Sequence, residues 1–274
     1  MKSIFSSAFV LSALSLAVAF YSPSAIAQQT KVSVVKQWSG FNAPTAIASG
    51  GDGTVYVSNW GGNTVERIAP DGSRSVLFDK ISSPAGIAID KTGAVFVSSY
   101  SGDYIVRITS DGAISRIAEG LATPTGMAFS ASGRLLVANR ASGEILSIDT
   151  VTGERRTLAS SLSLPVGVVE MPDGSIVTSQ YGGRATRILP TGEKQELGKD
   201  FVRPGVGILA DGNDAVLVID NGAGSVRRVS FDGQSQVIGQ GFEGSSVALG
   251  RAVNGELLVG AWGSGIVYRL MPAR

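Results

Sequence analysis

The sequence predicts an all-β fold, a six-bladed β-propeller whose four-stranded antiparallel blades are closed by the N-terminal strand completing the last blade. Three observations predict it: a repeat of fixed length, four short strands within each repeat, and two incomplete ends that complement each other. The period is 40 residues, with slips of one. Such a period is typical of propellers, solenoids and arrays. The units are 41–80, 81–120, 121–160, 161–200, 201–240 and the shorter 241–274.

The second unit, 81–120, shows the local pattern most clearly. Its apolar runs AGIAID, AVFVSSY, YIVRITS and ISRIAE are rich in β-branched and aromatic residues. Turns such as Thr92-Gly93 and Asp111-Gly112 separate them, and glycine suits such turns because it adopts positive φ at little cost. Short runs of this kind between glycine turns predict four strands in each unit.

The two ends of the repeat predict how the ring closes. Residues 31–38, KVSVVKQW, alternate like a strand but precede the first full unit, whereas the last unit stops one strand short after Ile266–Met271. We therefore predict that 31–38 pairs with 265–271 as the missing fourth strand. This pairing removes two open sheet edges. A solenoid is the alternative, but it does not explain the matched ends.

The first strand of each unit predicts close packing around a central axis. Small residues recur two positions after a proline, as in Gly86, Gly126 and Gly167, with bulkier residues such as Ile87 next to them. Inner strands that converge on an axis have room for small side chains on one face only, while larger side chains fill the wedges between blades.

Residues 1–27 have the features of a secretory signal peptide. Lys2 supplies the positive start, the apolar run lies within Ile4–Phe20, and Ala25-Ile26-Ala27 is a small-residue cleavage site. A membrane anchor is the weaker alternative, because the run is short and broken by serines. Cleavage leaves 28–274 as a single propeller domain in the periplasm or secreted from the cell.

The composition excludes several function classes. The chain contains neither cysteine nor histidine, so disulfides, thiol chemistry and the commonest general base are missing. Without Lys2 the chain has 22 basic and 22 acidic residues and no basic run, which argues against nucleic acid as a partner. No further apolar run of membrane length follows the signal peptide, and we expect a monomer.

The repeat resembles a known group of proteins. The pattern P-x-G-[IMV]-A, then G-x-[VL]-[FYL]-V-[SA], then [IV]-x-R-I and D-G, resembles the NHL-repeat family. It is also similar to the repeats of streptogramin lyase-like and gluconolactonase/regucalcin-like propellers. The resemblance covers about 30–274 and implies the propeller fold. It implies no particular activity, since these motifs consist of turn and packing residues.

The loop between the second and third strands of each unit carries the candidate ligand-binding residues. We predict that they form a ring at the channel mouth, because such loops return to the face where the first strands start. Aromatic residues with a polar tip, together with arginine, are typical of recognition surfaces. Packing of the loops is the alternative role. The ring is Trp60, Tyr100, Arg140, Tyr181, Asn221 and Trp262, with Asn59 and Asn139 directly before two of its members.

A catalytic role would require the residues that the resembling enzyme families use. Gluconolactonase-like propellers are understood to hold a divalent metal with a Glu before the first proline, an Asn and an Asp. Here Asn42-Ala43 precede Pro44, so the Glu is missing. Asp220 with Asn59 and Asn139 could form a looser oxygen site, since Ca²⁺ accepts carboxylate and amide oxygens. Streptogramin lyase-like chemistry is understood to need a His base, which this chain lacks.

Two sets of charged residues outside the ring have simpler interpretations. The first set consists of arginines that recur in the third strand of the units. We expect them to pair with acidic turn residues or to cover neighbouring strands, rather than to form an anion-binding belt. This set comprises Arg67, Arg107, Arg187, Arg228 and Arg269, with Ser147 interrupting the series. The second is Asp103, Glu144 and Glu170, which form no evident catalytic pair; turn or strand-end positions are expected.

Two functional hypotheses remain open. The first is an exported, non-catalytic binding module that needs no cofactor and holds a protein, peptide or glycan partner of the cell envelope on its aromatic face. The second is a divergent metal-dependent lactone hydrolase with Ca²⁺ or another divalent cation at Asp220. The first predicts dependence on the aromatic residues, and the second predicts that Asp220→Ala abolishes metal binding.

Overall fold

The computed structural model describes residues 32–198 and 200–272, so the predicted signal peptide lies outside the described residues. All regular elements of this part of the chain are strands. The first twelve are β1 (Val32–Trp38), β2 (Pro44–Ser49), β3 (Val55–Asn59), β4 (Thr64–Ile68), β5 (Arg74–Phe78), β6 (Pro84–Ile89), β7 (Val95–Ser99), β8 (Tyr104–Ile108), β9 (Ile114–Ala118), β10 (Pro124–Phe129), β11 (Leu135–Asn139) and β12 (Glu144–Ile148). The others are β13 (Arg155–Ala159), β14 (Pro165–Glu170), β15 (Ile176–Gln180), β16 (Arg184–Ile188), β17 (Lys194–Leu197), β18 (Pro204–Asp211), β19 (Ala215–Asp220), β20 (Ser225–Ser230), β21 (Ser235–Gln240), β22 (Ser246–Arg251), β23 (Leu257–Ala261) and β24 (Ile266–Pro272).

The strands form six four-stranded antiparallel sheets, which confirms the six-bladed β-propeller. Blades one to five take consecutive strands from β2 to β21, whereas the sixth has the order β1-β24-β23-β22. In that blade Val34 pairs with Leu270 and Lys36 with Tyr268, and the register shifts between Lys36 and Trp38. The N-terminal strand therefore closes the ring as predicted. Within the described ranges no helix has the length and apolarity needed to cross a membrane.

The predicted glycine turns connect the strands. Between β4 and β5, Gly72 has φ of 85°, and Asp71 Oδ1 accepts a hydrogen bond from the Ser73 amide at 2.8 Å. The hydroxyl and amide of Ser73 hold the pKa of the Asp71 carboxyl below its ordinary value, because both donate to the charged form. An aspartate that caps its own turn in this way explains the recurrent D-G of the sequence.

The inner strands pack as closely as their glycines predict. A Cβ built on Gly86 would lie 2.1 Å from the Thr125 carbonyl oxygen, and one on Gly126 would lie 2.6 Å from that of Val166. Larger residues point into the wedges between blades, where Phe96 and Leu135 are fully buried in one apolar cluster. The core is thus a series of apolar wedges arranged around the axis.

Three of the five third-strand arginines pair with acidic side chains of their own blades, as expected. Arg228 Nε donates to Asp211 at 2.7 Å, and Arg187 pairs with the turn residue Asp173. Arg269 pairs with Glu256 at 3.2 Å. Where Ser147 interrupts the series, Arg134 of the neighbouring strand supplies the guanidinium and donates to the Ser147 hydroxyl at 2.7 Å.

Candidate functional site: the channel mouth

One cavity of about 340 Å³ opens at the end of the channel where the first strand of each blade begins. The structure brings all six residues of the predicted ring together around it. Each follows the second strand of its blade, so the 40-residue period becomes a ring of side chains. The ring residues that line the cavity are Trp60, Tyr100, Arg140, Tyr181, Asn221 and Trp262.

Backbone hydrogen bonds fix five of these six residues in the same way. Each donates its own amide to the carbonyl of the residue that precedes the first strand of its blade. The Trp60 amide donates to Ala43 at 3.0 Å, and the Tyr181 amide donates to Leu164 at 2.9 Å. Tyr100, Arg140 and Trp262 make the equivalent bonds to Ser83, Thr123 and Ser245. The main chain therefore fixes the positions of these five residues independently of their side chains.

The polar residues directly before the ring lie behind it. The Asn59 side-chain oxygen accepts the Asn42 amide at 3.2 Å, and that of Asn139 accepts the Ala122 amide at 2.7 Å. Both asparagines are buried, and neither lines the cavity. The structure thus separates Asn59 and Asn139 from the other candidate ligand-binding residues, since each side chain holds the loop that precedes the first strand of its blade.

Asp220 has the same position in the fifth blade and is completely buried. Its carboxylate accepts the Arg203 amide at 2.9 Å and the Val202 amide at 3.1 Å, and it lies 3.4 Å from Arg227 Nε. The carboxylate therefore has two backbone donors and one cation beside it.

The contacts of Asp220, Asn59 and Asn139 differ from those that a cation requires. A cation needs oxygen atoms that are free to coordinate it, and several of them at one point. Asp220, Asn59 and Asn139 instead hold loops in three separate blades. The described part of the chain also contains no group of three or more acidic, His or Cys side chains that could hold a metal. The residues present do not fit a divalent cation.

Three aromatic side chains are neighbours along one part of the cavity wall, and two arginines flank Tyr181 along another. The ring centroids of Trp60 and Trp262 are 6.1 Å apart, and those of Trp60 and Tyr100 are 6.3 Å apart in an edge-to-face arrangement. Arg140 Nη1 donates to the Tyr100 hydroxyl at 3.0 Å, and its guanidinium lies 5.3 Å from the Tyr181 ring centroid. Trp262 and Tyr181 are exposed over 41% and 39% of their surfaces, which leaves contact area for a ligand.

Arg203 is a cavity residue that sequence reasoning missed. It immediately precedes the first strand of the fifth blade, and its guanidinium lies 5.2 Å from the Tyr181 ring centroid. The equivalent residues of the first four blades are Ala43, Ser83, Thr123 and Leu164. A charge at this position was the signal that could have revealed it. The buried floor below includes Thr45, Ala85, Thr125 and Val166.

The remaining candidate acids have structural contacts. Asp103 accepts the Thr123 amide at 2.8 Å and so joins two adjacent blades. Glu170 ends β14, as expected, and accepts the Ala131 amide of the preceding blade. Glu144 accepts the Thr157 hydroxyl at 3.4 Å. None of the three lines the mouth cavity, and no Asp or Glu is among the residues that do.

Solved structures with the same fold include enzymes and a calcium-binding protein. A catalytically inactive variant of virginiamycin B lyase from Staphylococcus aureus, with quinupristin, is 19% identical, with a TM-score of 0.65; the match covers 86% of this chain and 83% of that one. A gluconolactonase from Xanthomonas campestris is 16% identical, with a TM-score of 0.75 and coverage of 86% and 88%.

The calcium-binding protein regucalcin from Agrobacterium tumefaciens is 17% identical, with a TM-score of 0.71 and coverage of 88% and 95%. These likenesses confirm the resemblance to lyase and gluconolactonase/regucalcin propellers at the level of the fold. No curated protein matches the chain in sequence. The model of the virginiamycin B lyase family matches residues 27–273, and the chain therefore belongs to that family.

Proposed function

We propose that this protein is a non-catalytic binding module that holds a protein, peptide or glycan partner at the channel mouth. The observation that carries the proposal is the composition of the mouth: four aromatic residues, two arginines and Asn221, with no carboxylate and no histidine. Such a surface offers stacking area and hydrogen-bond donors, as recognition sites do. It offers neither a histidine nor, in the described part of the chain, an Asp or Glu to act as general base.

Family membership does not make the lyase reaction the better proposal. The inactive variant of the staphylococcal lyase is one in which a histidine is replaced by alanine. This chain has no histidine at any position, so it has no counterpart for that residue. We expect no lyase activity toward streptogramin B antibiotics.

A metal-dependent lactone hydrolase is the second candidate, favoured by the likeness to the gluconolactonase fold. Such a reaction needs a cation that polarises the carbonyl or activates water. The oxygens of Asp220 are engaged by backbone amides, and Arg227 stands beside them. A cation there would meet a guanidinium and break the hydrogen bonds from Val202 and Arg203, so the proposed function needs no metal.

Export and a monomeric state are part of the proposal. The signal-like residues 1–27 support a periplasmic or secreted location with a partner in the cell envelope. Fractionation followed by mass spectrometry of the N-terminus tests this. A mature chain that starts near Gln28 in the periplasm or medium is the expected result, and an uncleaved chain in the cytoplasm would contradict it.

The binding proposal is tested with peptide and glycan arrays. We expect a ligand bound by the native protein to be lost in the Trp60→Ala and Trp262→Ala variants and retained in Trp38→Phe, since Trp38 ends β1 and does not line the cavity. Tryptophan emission during titration with Ca²⁺, Zn²⁺ and Mn²⁺, together with lactone hydrolysis assays, tests the second candidate. A saturable response lost in Asp220→Asn, accompanied by hydrolysis, would favour the hydrolase.

A further inference from the structure

We infer that the ligand of the mouth carries a carboxylate next to a planar apolar group, so that the carboxylate binds Arg140 and Arg203 while the planar group stacks on Trp60 and Trp262. This inference deepens the proposed function and rests on it. It follows from three features of the cavity, which are its division into two halves, the lack of an acidic partner for its arginines, and its size.

The cavity wall has an aromatic half and a cationic half. Trp262, Trp60 and Tyr100 form the aromatic half, with successive ring centroids 6.1 and 6.3 Å apart. In the cationic half the guanidinium groups of Arg140 and Arg203 lie 5.3 and 5.2 Å from the centroid of the same Tyr181 ring. Tyr100 joins the halves, because its ring contacts Trp60 and its hydroxyl accepts the hydrogen bond from Arg140.

Arg140 and Arg203 each have guanidinium N–H groups that are available to a ligand. Arg140 donates to the Tyr100 hydroxyl and Arg203 to the Tyr181 hydroxyl, both neutral acceptors. A guanidinium has five donors, and its best-matched acceptor is a carboxylate or phosphate. The third-strand arginines Arg187 and Arg228, by contrast, each have an acidic side chain beside them. Among the described residues no Asp or Glu lines the cavity, so a bound anion would meet two cations and no like charge from them.

The size of the cavity limits the ligand. A volume of about 340 Å³ accommodates a small molecule or one terminal residue of a peptide. Only the Tyr100 ring lies between Trp60 and Arg140 along the wall. A ligand the size of one amino acid can therefore place its aromatic ring at the aromatic half and its carboxylate at the cationic half. Free aromatic acids and peptides with a C-terminal aromatic residue share this chemistry. A carboxylate is the anion that a peptide partner, one of the proposed ligand classes, carries at its own C-terminus, which favours it over a phosphate.

The test uses matched probes that differ only in the proposed features. N-acetylphenylalanine has the ring and the carboxylate, N-acetylphenylalaninamide has the ring alone, and N-acetylglycine has the carboxylate alone. Calorimetry should show binding of the first that is about tenfold tighter than binding of either other probe, which is the effect of one good charged interaction. Its affinity should fall with salt, because ion pairs are screened.

Variants locate the effect. We expect Arg140→Gln with Arg203→Gln to remove the preference for the acid over the amide, whereas Arg156→Gln, an exposed arginine of an outer strand, should leave it unchanged. An acetylated tetrapeptide ending in phenylalanine distinguishes the two sources. Tighter binding than N-acetylphenylalanine supports a peptide C-terminus, and equal or weaker binding supports a free acid.

Failure of the inference differs from failure of the proposed function. Equal affinity for acid and amide, or a preference that survives in the double variant, would overturn the inference. If neutral glycans or amidated peptides bind in a Trp60-dependent way while the acid does not, the inference is wrong and the binding function stands. If no array ligand depends on Trp60 or Trp262, the binding function itself is wrong.

Discussion

The rings of Trp60 and Trp262 lie 6.1 Å apart and are tilted by 54°, although they belong to the first and last blades. Trp60 follows β3 and Trp262 follows β23. Their contact therefore spans the junction at which the ring closes, and it links the closure of the fold to the shape of the mouth. A perturbation that opens this junction will also separate the two largest side chains that line the mouth cavity.

The tryptophan pair should be visible by circular dichroism. Two indoles at this distance couple their electronic transitions, so the native protein should show a paired positive and negative band. Trp60→Phe and Trp262→Phe should each abolish the pair of bands, whereas Trp38→Phe should retain it. If the paired bands persist in either of the first two variants, they do not come from the Trp60–Trp262 pair, which would contradict the contact between these rings.

Removal of β1 should destabilise the whole ring. A chain that starts at residue 39 leaves the edge of β24 unpaired and uncovers apolar residues of the last blade that pack with Val34. We expect a lower melting temperature and concentration-dependent association, because open edges pair with other chains. Light scattering and thermal unfolding measure both, with a chain that starts at residue 32 as the control. A monomeric, equally stable product would contradict the role of β1.

Replacement of Asp220 should affect stability according to whether an acceptor remains. Asp220→Ala leaves two loop amides without their buried acceptor and removes the carboxylate that lies 3.4 Å from Arg227 Nε. A loss of about 3 kcal/mol in the free energy of unfolding is expected. Asp220→Asn keeps an oxygen acceptor, as Asn59 and Asn139 do in other blades, and should lose about 1 kcal/mol. Urea unfolding measures both, and equal losses would argue against the loop-holding role.

The inner strands should not tolerate added volume. Gly86→Ala places a methyl group 2.1 Å from the Thr125 carbonyl oxygen, so the first strands of two blades must separate. We expect a loss of about 2 kcal/mol or more. Gly51→Ala is the matched control, because a Cβ there meets nothing within 4 Å. If both variants have the same stability, the blades pack less tightly than described.

The stability of the protein should fall in acid and be flat near neutrality. Hydrogen bonds from Ser175, and then Arg187, lower the pKa of the Asp173 carboxyl in the folded state. The folded state therefore binds fewer protons than the unfolded chain, and the stabilisation present above the ordinary carboxyl pKa is lost as the pH falls through the folded value. The other turn aspartates with lowered pKa are Asp52, Asp71, Asp90, Asp111, Asp149 and Asp232.

Urea unfolding across a pH series measures this dependence. The free energy of unfolding should decrease below about pH 4 and stay nearly constant between about pH 6 and 7, because the chain has no histidine to titrate there. Asp173→Asn should weaken the dependence at low pH. A steep change near neutrality would reveal a titrating group that these contacts do not include.

The fold could be predicted from sequence because its determinants are local and repeated. A glycine of positive φ after Asp or Thr, as at Asp71-Gly72 and Thr191-Gly192, joins the last two strands in each of the first five units. Small residues such as Gly86 mark the inner strand. The pairing of 31–38 with 265–271 is not local, yet it followed from a strand missing at one end and an unpaired strand at the other. Spacing alone also placed Trp60 and Trp262 on one face.

The sequence predicted the residues inside the site less well than the fold. Asn59 and Asn139 stand beside ring residues, and the sequence does not show that these side chains turn to bind the loop before the first strand of their blade. Arg203 was missed for the converse reason. It lies outside the second-to-third-strand loops that carry the other candidates, and the cavity forms where two different loops of each blade meet.

Closure of the ring also determines where other objects can be attached to this protein. Val32 pairs with Pro272 on the outer strands of the last blade, so both strand ends lie side by side. The third strand of a blade starts at the mouth and runs away from it, which places these ends on the far side of the disc. An affinity tag, a fused domain or a solid support joined at either end will therefore hold the molecule with its mouth facing outward.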